Sequence, residues 1–309
     1  MEKTRLPRFN RASTVAPMQL TERDRSMIRL IHRHRFLNSR QILALVGGSQ
    51  LQVLRRLKLL YHHGFLERPR AQLQYYSMSG TRPIVYGLSN KGGMLVKQEL
   101  SDVSLWSEKN KAVGQMFLEH ALLVSETMVS LERACRKHDV RLLYEDELHL
   151  PMERQPFQWR VKISGGIKLG IIPDRVFAIE YKDQGGQADR SYFFLEADRG
   201  TMPVVRKHLA QTSFRRKLLA YEATWTNKVH QRHLGIPRFR VLTVTTNALR
   251  VQSLLEACSH LKRGHGLFLF AEKSVLEKDL FAAVWQSGKT GQATTLLNEN
   301  VQSPNETTQ

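Results

Sequence analysis

Three short amphipathic segments follow one another between Thr21 and Gly64, and each opens on a residue that can cap a helix. The first, TERDRSMIRLIHRHR, carries Thr21 and Asp24 in a capping arrangement ahead of an apolar stripe at helical spacing. Asn38 opens the second, NSRQILALVGG, and Ser49 opens the third, SQLQVLRRLKLLYHHG. The spacing predicts three consecutive short helices.

A hairpin pattern comes directly after the third helix. The stretch FLERPRAQLQYYSMSGTRPIVYGLSNKG predicts two strands around a turn near Ser79 and Gly80, followed by a helix from Asn90. Three short helices and a hairpin are typical of a winged helix-turn-helix, whose recognition helix enters the major groove of DNA. We therefore predict this module over residues 20–100.

The third helix is the predicted reading helix. We expect it to bury Leu51, Leu54, Leu57 and Leu60 and to turn its polar side chains outward, because Arg and Gln pair with guanine and adenine edges. The predicted base-contacting residues are Gln50, Gln52, Arg55, Arg56 and Lys58, and the predicted phosphate contacts on the wing are Arg68, Arg70 and Arg82. The alternative is that these charges form a solvated face on a module used for protein contacts.

Net charge favours the DNA-binding interpretation. Residues 1–100 hold 18 Lys and Arg against 5 Asp and Glu, which is +13 of the total of +19. A basic module joined to a mildly basic larger domain is typical of a protein that binds a polyanion.

The hydropathy pattern, the N-terminal segment and the cysteines predict where in the cell the protein is located. We find no apolar run of about 18 residues and no secretory signal, so we predict a cytoplasmic protein without a membrane span. Cys135 and Cys258 lie in no CxxC pair and are expected to be reduced core residues.

The remainder of the chain predicts an α/β (α+β) domain with a mixed sheet, because strands and helices alternate along it. The predicted boundaries are a mobile basic arm at 1–19, a polar linker at 100–112, the second domain at 111–285 and a disordered tail at 286–309.

Three acidic residues in this domain carry the candidate chemistry. Asp174 opens one predicted strand, and Glu196 and Asp198 share a face of the next, about 7 Å apart. At an effective dielectric near 20, each pair of carboxylates about 6 Å apart repels by roughly 3 kcal/mol unless a proton or cation intervenes. Oxygen ligands of this kind suit Mg²⁺ or Mn²⁺, so we predict a metal site at Asp174, Glu196 and Asp198. The alternative is a turn residue and two solvated acids.

A basic helix is predicted directly after Asp198, with Pro203 in its first turn. Its N-terminus would lie beside the carboxylates and receive a phosphate, and its positive charges would hold a DNA backbone. Glu119, on a long preceding helix, is a candidate further ligand or base.

The combination resembles the replication-relaxation family of plasmids and integrative elements. The resemblance is carried by TERDRSMIRLIHRHRFLNSRQI, RRLKLLYHHGFLER, YGLSNKG, IIPDRVF and FFLEADRGTMPV, spread over residues 20–245. That family is similar to MobC-type conjugative relaxases, in which a winged helix precedes a restriction-endonuclease-like domain of the PD-(D/E)xK type.

The resemblance implies metal-assisted phosphodiester cleavage that nicks a transfer or replication origin. Asp174 matches the aspartate of the PD motif, Glu196 the first acid of the second motif, and Asp198 the position where most such nucleases have lysine. Lys207 or Lys217 would then supply the positive charge from the next helix; otherwise the site binds metal differently or is degenerate.

Three other enzyme classes do not fit the sequence. His32 and His34 lie in a helical run, unlike the strand-borne metal histidines of a tyrosine relaxase, and there is no GxSxG elbow of a serine hydrolase. A P-loop would need glycine at Ala283. The remaining alternative to a nicking enzyme is a non-catalytic origin-binding accessory or regulator. The expected partners are duplex DNA and, in either case, proteins of conjugation or replication.

Overall fold

The computed structural model describes residues 7–15, 17–74, 82–97, 107–151, 157–182, 186–289 and 291–297. The chain forms two compact units, Met1–Val129 and Ser130–Gln309. The division falls inside a long helix, whereas the sequence predicts it in the polar segment at 100–112. Each unit has its own hydrophobic core, which explains why the chain divides there.

The N-terminal unit begins with the three predicted helices. They are α1 (Glu22–His34), α2 (Ser39–Val46) and α3 (Gln50–His62), with a short strand β1 (Phe36–Asn38) between the first two. The predicted caps are confirmed for two of them: Thr21 and Asp24 form a capping box on α1, and Asn38 forms one with Gln41 on α2. These side chains satisfy backbone N–H groups that a helix start leaves without partners.

A small antiparallel sheet completes this unit. Its strands are β1, β2 (Leu66–Glu67) and β3 (Val85–Leu88) in the order β1-β3-β2, and two helices follow, α4 (Asn90–Lys97) and α5 (Ser107–Lys111). The first wing strand is shorter than the sequence predicts. It ends at Glu67, before Pro69, and the side-chain amide of Gln72 then bonds both the N–H (2.8 Å) and the carbonyl (3.0 Å) of Val85. The predicted turn at Ser79 and Gly80 lies outside the described residues.

The core of this unit corrects the prediction for α3. Its buried stripe is Val53, Leu57 and Leu60, whereas Leu51 and Leu54 are exposed. Val53 lies four residues before Leu57, so the buried face of the helix starts on Val53, and this rotation turns Leu51 outward.

The C-terminal unit is built on a seven-stranded mixed sheet, which confirms the α/β fold class. Its strand order is β12-β11-β10-β9-β8-β7-β4, with β8, β9 and β10 parallel and the other pairs antiparallel. The elements in chain order are α6 (Gln115–Lys137, shared with the first unit), β4 (Arg141–Tyr144), β5 (Trp159–Lys162), β6 (Lys168–Ile171), β7 (Arg175–Lys182), β8 (Ala188–Ala197), α7 (Phe214–Thr226), α8 (Val229–Arg232), β9 (Phe239–Thr245), α9 (Ala248–Ser259), β10 (Phe268–Glu272), β11 (Trp285–Ser287) and β12 (Ala293–Thr294).

Helices α7 and α9 join the parallel strands, as parallel pairing requires. Together with the separate β5-β6 hairpin they cover an apolar core that includes Phe194, Tyr221 and Phe268. The sheet extends further than the sequence predicts, because the last two residues of β11 and all of β12 lie in the segment 286–309, which is predicted as a disordered tail. Trp285, directly before this segment, and Leu296 within it are buried and are its apolar anchors. Cys135 and Cys258 are buried free thiols, as predicted.

We expect Arg56→Ala to destabilise the N-terminal unit by about 3 kcal/mol, because removing one partner of a buried ion pair leaves the other charge uncompensated. Arg56 bonds the carboxylate of Asp24, which has no exposed surface. Hydrogen exchange of α1 followed by mass spectrometry measures the effect. Arg55→Ala is the matched control, since the neighbouring Arg55 is exposed. Unchanged protection of α1 in Arg56→Ala would contradict the prediction.

Candidate active site and candidate nucleic-acid interface

The ends of β7 and β8 bring Asp174 and Glu196 together. The N–H of Asp174 donates to the carbonyl of Leu195 (3.0 Å), and the N–H of Ala197 donates to Oδ2 of Asp174 (2.7 Å). The backbone of β8 therefore holds the Asp174 carboxyl group beside the residue between these two positions, which is Glu196. The negative charge of Asp174 acts on Glu196 and contributes to raising its pKa.

Glu196 is almost completely buried, with 1% of its surface exposed. The hydroxyl of Tyr221 donates to its Oε1 (2.6 Å), and the ammonium of Lys217 donates to its Oε2. Burial raises the pKa of Glu196 to about 6, because it outweighs the stabilisation of the carboxylate by Lys217. The site thus holds a carboxyl group whose charge depends on pH near neutrality.

Lys217 supplies the positive charge of the site. It lies four residues before Tyr221 on α7, so both side chains leave the same face of the helix. Burial lowers the pKa of Lys217, but the charges of Glu196 and Asp174 raise it more, so the net pKa lies above its usual value. The ammonium therefore remains charged at neutral pH.

Lys207 does not occupy this position. It is exposed, on the irregular segment that connects β8 to α7. Of the two lysines that the sequence offered, the structure brings Lys217 to the carboxylates.

The predicted helix start beside the carboxylates is wrong. Residues 199–213 are not helical, and α7 begins at Phe214. The carbonyls of Pro203 and Val204 accept from the N–H groups of Phe214 (3.0 Å) and Arg215 (2.9 Å). These N–H groups are occupied within the protein, so the helix start does not offer the predicted phosphate site.

Asp198 is held in an ion pair with Arg250. Arg250 donates to both of its carboxylate oxygens (2.7 and 3.1 Å), and Thr245 and the N–H of Gly200 add bonds of 2.8 and 3.2 Å. Both oxygens of Asp198 are engaged in this way, as both oxygens of Glu196 are, and its predicted part in a metal site stays a prediction. Among the residues that the structure describes, no three His, Cys, Asp or Glu side chains form a group suited to a metal ion.

Two carboxylates and one buried hydroxyl remain as possible metal donors. Thr243 lies opposite Glu196 in the parallel register of β8 and β9, and its hydroxyl is buried without a hydrogen-bond partner in the described structure. Asp174 and Glu196 suit one divalent ion or a bound water near this hydroxyl, provided that Lys217 releases Oε2. They do not fit the predicted cage of three carboxylates.

Glu119 lies on α6 in the N-terminal unit, where the side chain of Gln115 donates to it (2.9 Å). Its suggested part in the chemistry stays a prediction.

The outward surface of α3 contains most of the predicted base-contacting residues. Gln50, Gln52 and Arg55 are exposed, and Lys58 is half-buried. The side chain of Arg56 differs from these, because its guanidinium donates to the carboxylate of Asp24 and to the carbonyl of Gln19 (2.8 Å) within the protein. Its predicted role as a base contact stays a prediction, and these bonds would have to break for Arg56 to reach DNA.

On the wing, Arg68 is not available to phosphate. Its guanidinium is buried against the rings of Tyr61 and Tyr86, with its carbon 4.1 and 5.1 Å from the ring centres. It also donates to the hydroxyl of Tyr86 (3.2 Å). Arg70 and Arg82 are exposed and can still make the predicted contacts.

Part of the segment predicted as a mobile arm packs on this unit. Arg11 donates to the carbonyls of Tyr61 and Leu66 (3.1 Å each) and pairs with Glu67. The N–H of Ala12 donates to Nδ1 of His62 (3.1 Å), whose pKa is lowered to about 4 by burial and by nearby cations.

Sequence reasoning missed Tyr221 and Arg250. The i, i+4 spacing of Lys217 and Tyr221, on a helix after an acid-bearing strand, is a signal that would have paired them with Glu196. Nothing local to Asp198 points to Arg250, which lies far along the chain.

The chain has two units: an N-terminal unit of helices with a small antiparallel sheet, and an α/β unit with a mixed sheet in which Asp174, Glu196 and Lys217 lie together. A family model described as replication-relaxation matches residues 28–238, and the chain belongs to this replication-relaxation family. The searches of curated proteins and of solved structures return no match. Within the described part of the chain, no helix is both long and apolar enough to cross a bilayer.

We expect Glu196 to make stability fall as pH rises from its ordinary value of 4.5 to about 6. In this interval the folded state binds the proton more tightly than the unfolded state, so the loss is about 2 kcal/mol and is complete above the folded pKa. Glu196→Gln should remove this slope. Urea unfolding followed by tryptophan fluorescence measures it, because Trp159, Trp225 and Trp285 lie in this unit.

The control is Glu256→Gln, which changes an exposed carboxyl on α9. Parallel stability curves for wild type and Glu196→Gln across the interval would contradict the assignment of a raised pKa.

Proposed function

We propose that this chain binds the origin of a plasmid or mobile element through its winged helix and nicks one strand of that DNA. The proposed active site consists of Asp174, Glu196 and Lys217. The observation that carries the proposal is this buried cluster, in which two acids from adjacent strands meet a lysine from the following helix. Membership of the replication-relaxation family supports a role in replication or relaxation of such an element.

The DNA-binding half of the proposal is supported by charge and exposure. Residues 1–100 carry a net charge of +13, and α3 presents Gln50, Gln52 and Arg55 to solvent. Neutralising phosphates releases counterions, so the affinity should fall steeply with salt concentration. Base-edge contacts from α3 would add sequence preference to this attraction.

The nicking half assigns each residue of the cluster a role. Asp174 and Glu196 would hold a Mg²⁺ or Mn²⁺ ion, which when bound supplies Lewis-acid activation of the phosphate and of the attacking water. Lys217 would stabilise the negative charge that develops on the phosphate oxygens. Tyr221 is a positioning residue, because its hydrogen bond holds Oε1 of Glu196.

A non-catalytic origin-binding protein is the second candidate. It is favoured by the state of Glu196, whose two oxygens are both engaged by Lys217 and Tyr221 and whose exposure is 1%. Under this alternative the cluster holds α7 to β8 and no metal displaces Lys217.

Nicking separates the two candidates. We expect the purified chain with Mg²⁺ or Mn²⁺ to convert a supercoiled plasmid carrying the element's own origin to the open-circular form. Asp174→Asn and Lys217→Met should each lower the rate at least about 100-fold. The first removes a metal ligand, and the second removes the cation that stabilises negative charge on the reacting phosphate. Agarose electrophoresis measures the conversion.

Lys207→Ala is the matched control, because this exposed lysine of the same unit lies outside the cluster and should leave nicking unchanged. All variants should bind the origin duplex as wild type does. If wild type binds its origin and never opens the plasmid with either metal, the non-catalytic alternative is correct.

The exposed Arg55 of α3 tests the DNA-binding surface. We expect Arg55→Ala to weaken binding to the origin by about 1–3 kcal/mol, while binding to unrelated duplex changes much less. Fluorescence anisotropy at fixed salt concentration measures both. An equal loss on all sequences would make Arg55 a phosphate contact, and no loss on either would remove α3 from the interface.

A further inference from the structure

Two leucines lie on the outward surface of α3. Leu51 is 79% exposed and Leu54 is 38% exposed, whereas Val53, Leu57 and Leu60 of the same helix are buried. The two are three residues apart, so they are neighbours on the helix surface. Exposed leucines side by side form an apolar contact surface within the face already inferred to read DNA.

The surroundings of these leucines are basic. Arg55 follows Leu51 by four residues and Lys58 follows it by seven, so all three lie along one stripe of the helix. The sequence of α3 contains no acidic residue. A partner for this stripe must therefore accept cations and apolar groups together.

The major groove of duplex DNA has this chemistry. It presents hydrogen-bond acceptors on guanine and an apolar C5-methyl group on thymine, both on the edge that a recognition helix faces. A second copy of this chain fits less well, because its own Arg55 and Lys58 would face the same cations across the contact.

We propose that Leu51 and Leu54 contact thymine C5-methyl groups beside the base that Arg55 reads. The binding site then contains thymine next to the guanine that Arg55 contacts. This inference rests on the proposed reading of DNA by α3, and it adds the base preference of that surface.

Replacing thymine by deoxyuridine tests the inference, because the change removes the methyl group and leaves the hydrogen-bonding edge intact. The preferred sequence is first selected with the full chain from a randomised duplex library. Each thymine is then replaced singly, and dissociation constants are measured by fluorescence anisotropy. We expect wild type to lose about fourfold in affinity at one or two thymines, the value of burying one methyl-sized group.

Leu51→Ala and Leu54→Ala should each lose this sensitivity at one position of the binding site. At the thymine that the missing side chain contacts, each variant should bind the thymine and deoxyuridine duplexes with equal affinity. Met94→Ala is the control, because Met94 is 60% exposed on α4 of the same unit and lies outside the α3 stripe. This variant should keep the full sensitivity to deoxyuridine.

Four results would overturn the inference. Wild-type affinity that no deoxyuridine changes, or sensitivity that survives in both leucine variants, removes the methyl contact while leaving DNA reading by α3 intact. A leucine variant that loses self-association in sedimentation, with unchanged sensitivity to deoxyuridine, makes the surface a protein interface. A library that yields no preferred sequence refutes the reading of DNA bases itself, and this outcome is distinct from the other three.

Discussion

The candidate site of the C-terminal unit depends on the pairing of Glu196 with Lys217. A carboxylate with 1% exposure is costly to ionise, and a charged partner offsets this cost only when the two groups are in direct contact. That contact joins the end of β8 to the face of α7, with Tyr221 on the second oxygen. The same interaction therefore stabilises the helix on the sheet and sets the charge of the candidate active site.

The N-terminal unit uses some of its cations for its own structure. Arg56 pairs with the buried Asp24, Arg68 lies against two tyrosine rings, and Arg11 bonds the backbone of β2. A basic composition does not by itself assign each cation to DNA, since buried acids and aromatic rings compete for them. Of the predicted DNA contacts, those that remain exposed lie on α3 and on the wing: Gln50, Gln52, Arg55, Arg70 and Arg82.

The sequence predicts the features that depend on neighbouring residues. The capping boxes at Thr21 and Asn38 and the three helices are of this kind, and the approach of Asp174 to Glu196 follows from a simple hairpin. The features that depend on distant residues escape it. Arg250 engages Asp198 from another helix, and the outward rotation of Leu51 is decided by which face of α3 the core accepts. Likewise, residues 199–213 include good helix formers but are not helical. The helix α7 starts only at Phe214, where the carbonyls of Pro203 and Val204 accept from its first N–H groups.

The start of α7 at Phe214 fixes where Lys217 and Tyr221 lie around the helix axis. An α-helix turns by about 100° per residue, so inserting or deleting one residue between Phe214 and Lys217 would move the ammonium to another side of the helix. Tyr221 would move with it, since it lies one turn further along the same helix. An insertion in the irregular segment before Phe214 would instead be taken up by that loop, whereas a one-residue change in the first turn of α7 would separate Lys217 and Tyr221 from Glu196 although all three residues were still present.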